Sequence, residues 1–284
     1  MRNLLLILLC FPLLLPSARA GEPAHDPLPG IARAYLVEID GKAAWEHQPR
    51  RQLPAASMNK LMTALLITER GKLQAPVRID RAAAHQHGIG LRAGERFRTG
   101  DLLAAMLVAS ANDACRALAD AVAGSAANFV RQMNLRAQQL GLRDTRYANA
   151  CGRDAAQQHT SAHDLALLAR ELLRHPGIAA LTARRGARIA TLDGKRSYSF
   201  ASRNALLGRV RGVLGLKTGY TRQAGRCQVI YAERDGHKVL LVILHGRRWG
   251  DAADMLELAF DRARHPVINR SRQAHYPLHL SGAA

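Results

Sequence analysis

The chain has 284 residues, is 48% hydrophobic and carries a formal charge of +19 at pH 7. That length and apolar content support one sizeable globular core, or one large domain with a small lobe. The positive balance favours polyanionic surroundings, but no nucleic-acid reading motif is present, and no segment after the first twenty residues is apolar enough to span a bilayer.

Residues 1–20, MRNLLLILLCFPLLLPSARA, start basic at Arg2, run apolar from Leu4 to Leu15 and close on Ala18-Arg19-Ala20. They read as a signal peptide cleaved after Ala20, which exports the chain to the periplasm or beyond. No nucleic acid and no stable membrane anchor are then expected. Anionic envelope polymers are the expected polyanions, with a solvated arginine-rich face as the bland reading. Residues 21–30 read as an extended lead-in. Two strands, 32–40 and 42–48, flank the turn Asp40-Gly41. A helix follows from about Ser57 to Arg70, stopped by Gly71. After a turn-rich stretch Thr99 is placed to cap a helix through Leu102, Leu103, Met106 and Leu107. Helices are expected over 113–123, over 125–140 and over 160–175, the last capped by Thr160 or Ser161 with Pro176 beyond its end. From about 187 the pattern changes to strands at 187–192, 196–202, 212–220, 226–234 and 237–246, with Asp235-Gly236 turning the last pair. A helix over 251–264 closes the order. Strands, helices, strands and a helix imply an α+β fold: one antiparallel sheet built from both chain ends, flanking helices and an inserted helical lobe. Residues 267–284 are too few for a further domain.

The chain prefers arginine, 35 against 6 lysines, so its lysines invite attention. Ser57 is the only serine with lysine three residues on, at Lys60. On a helix that spacing puts hydroxyl and amine on one face, near an N-terminus that favours developing negative charge. A serine needs a base to become a nucleophile. Lysine serves if burial and nearby positive charge depress its pKa; arginine does not deprotonate. A plain N-cap serine beside a surface lysine is the bland alternative for this pair alone. Two further groups accompany it: Ser110-Ala111-Asn112 at the end of an apolar helix, and Lys217-Thr218-Gly219 in a strand.

With S-x-x-K, S-x-N and K-T-G in this order, the sequence resembles the serine-type D-Ala-D-Ala peptidases, the low-molecular-mass penicillin-binding proteins of the serine β-lactamase-like group. PAASMNKLMTALL, GLRAGERF, LLAAMLVASANDACRALAD, TSAHDLALLAR and GLKTGYTRQAGRC extend the likeness over about residues 30–264. Ala111 stands where the family often has glycine, and NACGRD replaces its usual turn. The resemblance implies a β-lactamase/transpeptidase-like catalytic domain over 31–266, acting on peptidoglycan stem peptides without cofactor or metal and acylated by β-lactams. In that reading Ser57 attacks the penultimate D-Ala carbonyl, Lys60 takes its proton and Ser110 relays it to the departing amine. Asn112 holds Lys60 and the substrate amide. Lys217 and Thr218 grip the terminal carboxylate, and Gly219 lets the substrate backbone lie against the strand. The main-chain N–H groups of Ser57 and Tyr220 form the oxyanion hole. Arg203 and Arg248 are candidates for added positive charge.

The resemblance leaves D-alanyl-D-alanine carboxypeptidase as the first reading and DD-endopeptidase as its alternative. A class A β-lactamase would need a glutamate between S-x-N and K-T-G; residues 96–170 hold none, and Glu171 falls in an amphipathic helix. Slow release of bound penicillin is therefore expected. A zinc enzyme finds only the pairs His85/His87 and His159/His163, outside any HExxH. A non-catalytic wall-binding module would explain the charge but not the lysines. Beyond residue 20 there are three cysteines, Cys115, Cys151 and Cys227, so at most one disulfide forms and one thiol stays free. Cys115, one turn after Asn112, reads as small packing; a sharper reading makes it a thiol whose modification hinders acylation.

Overall fold

The computed structural model describes residues 26–265. The expected signal peptide and the 267–284 tail lie outside the described residues. β1 (Ala32–Ile39) and β2 (Lys42–His47) form a hairpin. A 3-10 turn (Ala56–Met58) runs into α1 (Asn59–Glu69). There follow β3 (Pro76–Arg78), α2 (Arg81–Ala84), β4 (Arg96–Arg98), α3 (Thr99–Val108), α4 (Asn112–Ala123), α5 (Ala126–Gln139), α6 (Ala162–Leu173) and α7 (Pro176–Thr182). The chain ends on β5 (Gly186–Ala190), β6 (Ser197–Ala201), β7 (Val213–Thr221), β8 (Gly225–Arg234), β9 (His237–Gly246) and α8 (Asp251–Arg264).

Five strands form one antiparallel sheet in the order β2-β1-β9-β8-β7. Both chain ends build it, as expected: Tyr35 of β1 pairs with Ile243 of β9. Its two faces are both covered. Val239, Leu241 and Ile243 point into a cluster with Met255, Leu256 and Phe260 of α8. Leu240, Val242 and Leu244 point into the larger cluster under the helices. This explains why β9 reads as an unbroken apolar run although side chains alternate along any strand. The turns Asp40-Gly41 and Asp235-Gly236 all have positive φ, the pair of left-handed residues that suits a tight hairpin.

Several elements depart from the expectation. β5 and β6 pair only with each other; they are largely exposed and could not join a sheet buried on both faces. Pro176 lies beyond the end of α6, as expected, but it also opens a short helix, α7, that was not expected; its fixed φ suits a first helical turn. Thr99 is not a cap: its hydroxyl donates to Ala75 O at 2.9 Å. At α6 the cap is Ser161, which accepts from Asp164 N–H. The lead-in is not merely extended, because Leu28 is buried in the α8-side cluster.

Candidate active site

Ser57 lies within the 3-10 turn and Lys60 in the first turn of α1. The α-helix thus begins at Asn59, two residues after the expected start at Ser57, and Ser57 sits in the 3-10 turn that leads into it. Residues at i and i+3 eclipse in a 3-10 turn, and Lys60 Nζ comes within 3.2 Å of Ser57 Oγ. Lys60 is fully buried. Its other partners are Asn112 Oδ1 at 2.6 Å and Cys151 O at 2.5 Å. Both oxygens only accept. A neutral amine has two N–H bonds and one lone pair, so donation to these two leaves the lone pair for the Ser57 hydroxyl. Burial first, and the charge of Lys217 second, hold Lys60 well below the ordinary lysine range.

Ser110 completes the chain of groups, with Oγ 3.2 Å from Ser57 Oγ. It sits between α3 and α4 at φ 59°, a conformation that costs a non-glycine residue about 1–3 kcal/mol. Its neighbours fix it there. Asn112 N–H donates to His87 O at 3.0 Å, and the buried Asp113 carboxylate accepts from the N–H groups of Gly90 and Leu91 at 3.0 and 3.1 Å.

β7 supplies the facing wall. Lys217 and Thr218 are buried; Lys217 Nζ donates to Thr218 O at 2.6 Å and Thr218 Oγ1 to Arg203 O at 3.2 Å. Burial, then the charge of Arg203, bring Lys217 down to about 7. Arg203 N–H donates to Val108 O at 3.0 Å, beside the Ser110 turn. At Gly219 the protein's own packing also demands a glycine. A Cβ there would lie 2.8 Å from Ser57 N and 3.2 Å from Ala56 Cβ, so the glycine admits the protein's own nucleophile turn against the strand. The Tyr220 side chain points out, 61% exposed, leaving its main chain at the site. Arg248 is tied to Asp251, Nε donating to Oδ1 at 2.9 Å, rather than standing as a free charge.

The segment 149–154, read in the sequence only as a departure from the family's usual turn, lies under Ser57. Asn149 Oδ1 accepts from the N–H groups of Cys151, Gly152 and Arg153. Asn59 Nδ2 donates to Asn149 O at 2.7 Å and to Gln158 Oε1 at 2.9 Å, and Thr63 Oγ1 donates to Ala150 O at 2.8 Å. Gly152, φ 80°, packs so closely that a Cβ would lie 1.8 Å from Ala56 O. The only available hint was the Asn-x-x-Gly spacing in NACGRD. Cys151 and Cys115 form a disulfide, so Cys115 is neither a free packing residue nor a target for thiol reagents. Cys227 is the free thiol, buried and pushed up to about 12 by that burial.

Glu171 is engaged elsewhere, 3.5 Å from Arg136 and 3.4 Å from Arg174. His163 contacts Asp164 at 3.3 Å, and His85 Nδ1 lies 2.5 Å from Arg81 O.

A hydroxyl 3.2 Å from a buried amine whose proton is disfavoured, a second hydroxyl 3.2 Å from the first and a basic strand alongside are the groups that serine–lysine acyl transfer requires. The comparisons agree. A protein-family model, D-alanyl-D-alanine carboxypeptidase, matches residues 31–248. The D-alanyl-D-alanine carboxypeptidase DacF of Bacillus subtilis is 32% identical over 267 residues, covering 89% of this chain and 67% of that protein. A D-alanyl-D-alanine endopeptidase of Pseudomonas aeruginosa is 28% identical over 236 residues, covering 81% of this chain and 75% of its own. Penicillin-binding protein D2 of Listeria monocytogenes, solved with ampicillin bound, superposes with a TM-score of 0.71 at 31% identity, covering 81% of this chain and 97% of that one. The chain belongs to the D-alanyl-D-alanine carboxypeptidase family.

Proposed function

We propose that the protein is an exported, penicillin-binding serine D-alanyl-D-alanine carboxypeptidase that trims peptidoglycan stem peptides through a Ser57 acyl-enzyme. The observation that carries this reading is the place of Lys60 Nζ, 3.2 Å from Ser57 Oγ and held by two carbonyl acceptors; in its neutral form both N–H bonds go to those acceptors and the lone pair is left for Ser57. Ser57 Oγ attacks the penultimate D-Ala carbonyl carbon as its proton passes to Lys60 Nζ. The peptide C–N bond breaks, and the proton reaches the departing D-Ala amine through Ser110 Oγ. Water then cleaves the Ser57 ester by the same groups in reverse. β7 ends the sheet order, and an edge strand can take an extended peptide along its free main-chain groups. There Lys217, Thr218 and Arg203 meet the terminal carboxylate, while the N–H groups of Ser57 and Tyr220, brought close by Gly219, meet the developing oxyanion.

The relative named an endopeptidase supports a second reading, cleavage of cross-links beside the same D-Ala carbonyl. Digestion of purified cross-linked muropeptides decides: D-Ala release favours the first, dimer cleavage the second. Neither product, or either one from Ser57→Ala, would sink both. Because residues 96–170 hold no glutamate and Glu171 is engaged with Arg136 and Arg174, bound penicillin should leave slowly.

The pH profile offers a further check. Lys217 must be charged to hold a carboxylate, so kcat/KM for a D-Ala-D-Ala peptide should fall on the alkaline side as Lys217 loses its proton, about 7 in the empty site. Arg203 disfavours that proton; Arg203→Gln should therefore move the limb to higher pH. The change should be a fraction of a pH unit, because burial is the larger cause. A limb that stays in place separates Lys217 from this role.

A further inference from the structure

The Lys60 amine is held by two acceptors from different parts of the chain. Asn112 opens α4, and Cys151 O belongs to the segment beneath Ser57. One covalent bond joins these parts, because Cys115 lies one turn along α4 from Asn112 and is bonded to Cys151. Both cysteines are buried. The 149–153 segment is anchored separately to α1 through Asn59 and Thr63, so of these hydrogen bonds those of the Lys60 amine alone link it to α4.

Resting on the serine–lysine reading above, we propose that the Cys115–Cys151 disulfide is a positioning element for Lys60, closing the cradle of Asn112 Oδ1 and Cys151 O and making acylation dependent on its oxidised state. Two thiols cannot approach as closely as two bonded sulfurs. Breaking the bond removes the covalent tie between α4 and the segment, and in the reduced protein the thiols need more room as well, so the two parts separate and space opens around Lys60 Nζ while the bonds that hold the segment to α1 remain. With one acceptor displaced, the amine is free to turn its lone pair away from Ser57. Water entering the opened cradle eases the burial that keeps the amine neutral.

The test is the second-order rate of labelling by a fluorescent penicillin across pH. It compares oxidised protein, protein reduced with dithiothreitol and Cys115→Ala/Cys151→Ala. Alkylation mapping reports the thiols, and far-ultraviolet circular dichroism reports the fold. Reduced and double-variant proteins should stay folded and label on the order of tenfold to a hundredfold more slowly, the range for a displaced catalytic group. The acid limb should move to higher pH, and reoxidation of the reduced protein should restore rate and limb. Unchanged rates with both thiols free would overturn the proposal. So would slow labelling that appears only as the helical signal is lost, since the bond would then hold the fold rather than the lysine. Absence of labelling in the oxidised protein would instead strike the Ser57 acyl-enzyme reading itself.

Discussion

Lys60→Arg should leave a folded protein that fluorescent penicillin no longer labels at a measurable rate. The substitution keeps a positive charge and removes the base. In the native site Lys60 Nζ lies 3.2 Å from Ser57 Oγ and donates to Asn112 Oδ1 and Cys151 O; once deprotonated, it has a lone pair to take the Ser57 proton. A guanidinium has five N–H donors and no acceptor at working pH, so Ser57 would face a donor where it needs an acceptor. General-base contributions are typically about 10²–10⁴-fold, and the loss in acylation rate should fall in or above that range. The buried charge should also lower the melting temperature, because the side chain at position 60 is fully buried. Circular dichroism checks the fold and labelling kinetics check the chemistry. A variant acylated near the native rate would remove Lys60 from the mechanism.

Gly152→Ala should be the most damaging single-methyl change near the site. Its Cβ would stand 1.8 Å from Ala56 O, 2.4 Å from Ala56 C and 2.9 Å from Ser57 Cα. All three are backbone atoms, so no side chain can swing aside. Either the 149–153 segment withdraws, taking Cys151 O from Lys60, or the 3-10 turn moves and carries Ser57 with it. A displacement of that kind costs on the order of 10²-fold in rate. The left-handed backbone adds about 1–3 kcal/mol of strain, several degrees of melting temperature in a domain of this size. Gly141→Ala is the control: φ is 71° there too, but a Cβ meets nothing within 4 Å. It should lose stability by backbone strain and keep its acylation rate. Equal acylation losses in both variants would mean that strain, not the contact with Ser57, is what matters.

The candidate reacting groups stood out in the sequence because their chemistry restricts residue type, and the structure brings Ser57, Lys60, Ser110 and Asn112 together. Lysine at position 60 in an arginine-rich chain, and the three motifs in order, mark residues that no other type replaces. The sheet was legible from β7, β8 and β9, whose apolar runs and Asp-Gly turn have few alternative conformations. The supporting contacts were not. Asp113, Asn149, Asn59 and Gln158 are ordinary polar residues in sequence, and their partners lie in segments that meet only in the folded chain. Gly219 shows the same limit at finer scale. Its type was readable as a close approach, but what approaches is Ser57 N, a neighbour 162 positions away that no local pattern names. β5 and β6 were readable as strands, whereas their exclusion from the main sheet depends on both of its faces being covered.

The pairing of β1 with β9 has a consequence for the timing of activity. Strands from opposite ends of the chain must meet before the sheet exists, and contacts so distant in sequence form slowly. The reacting groups share that delay. Ser57 and Lys60 emerge early, Ser110 and Cys151 later, and the strand carrying Lys217 only with the sheet's last members. A partly emerged chain therefore carries a serine without its finished surroundings and has no means to cut anything it meets on the way out. Penicillin labelling in a pulse-chase experiment would then count completed molecules, and its lag behind chain synthesis would measure how long the two ends take to find each other.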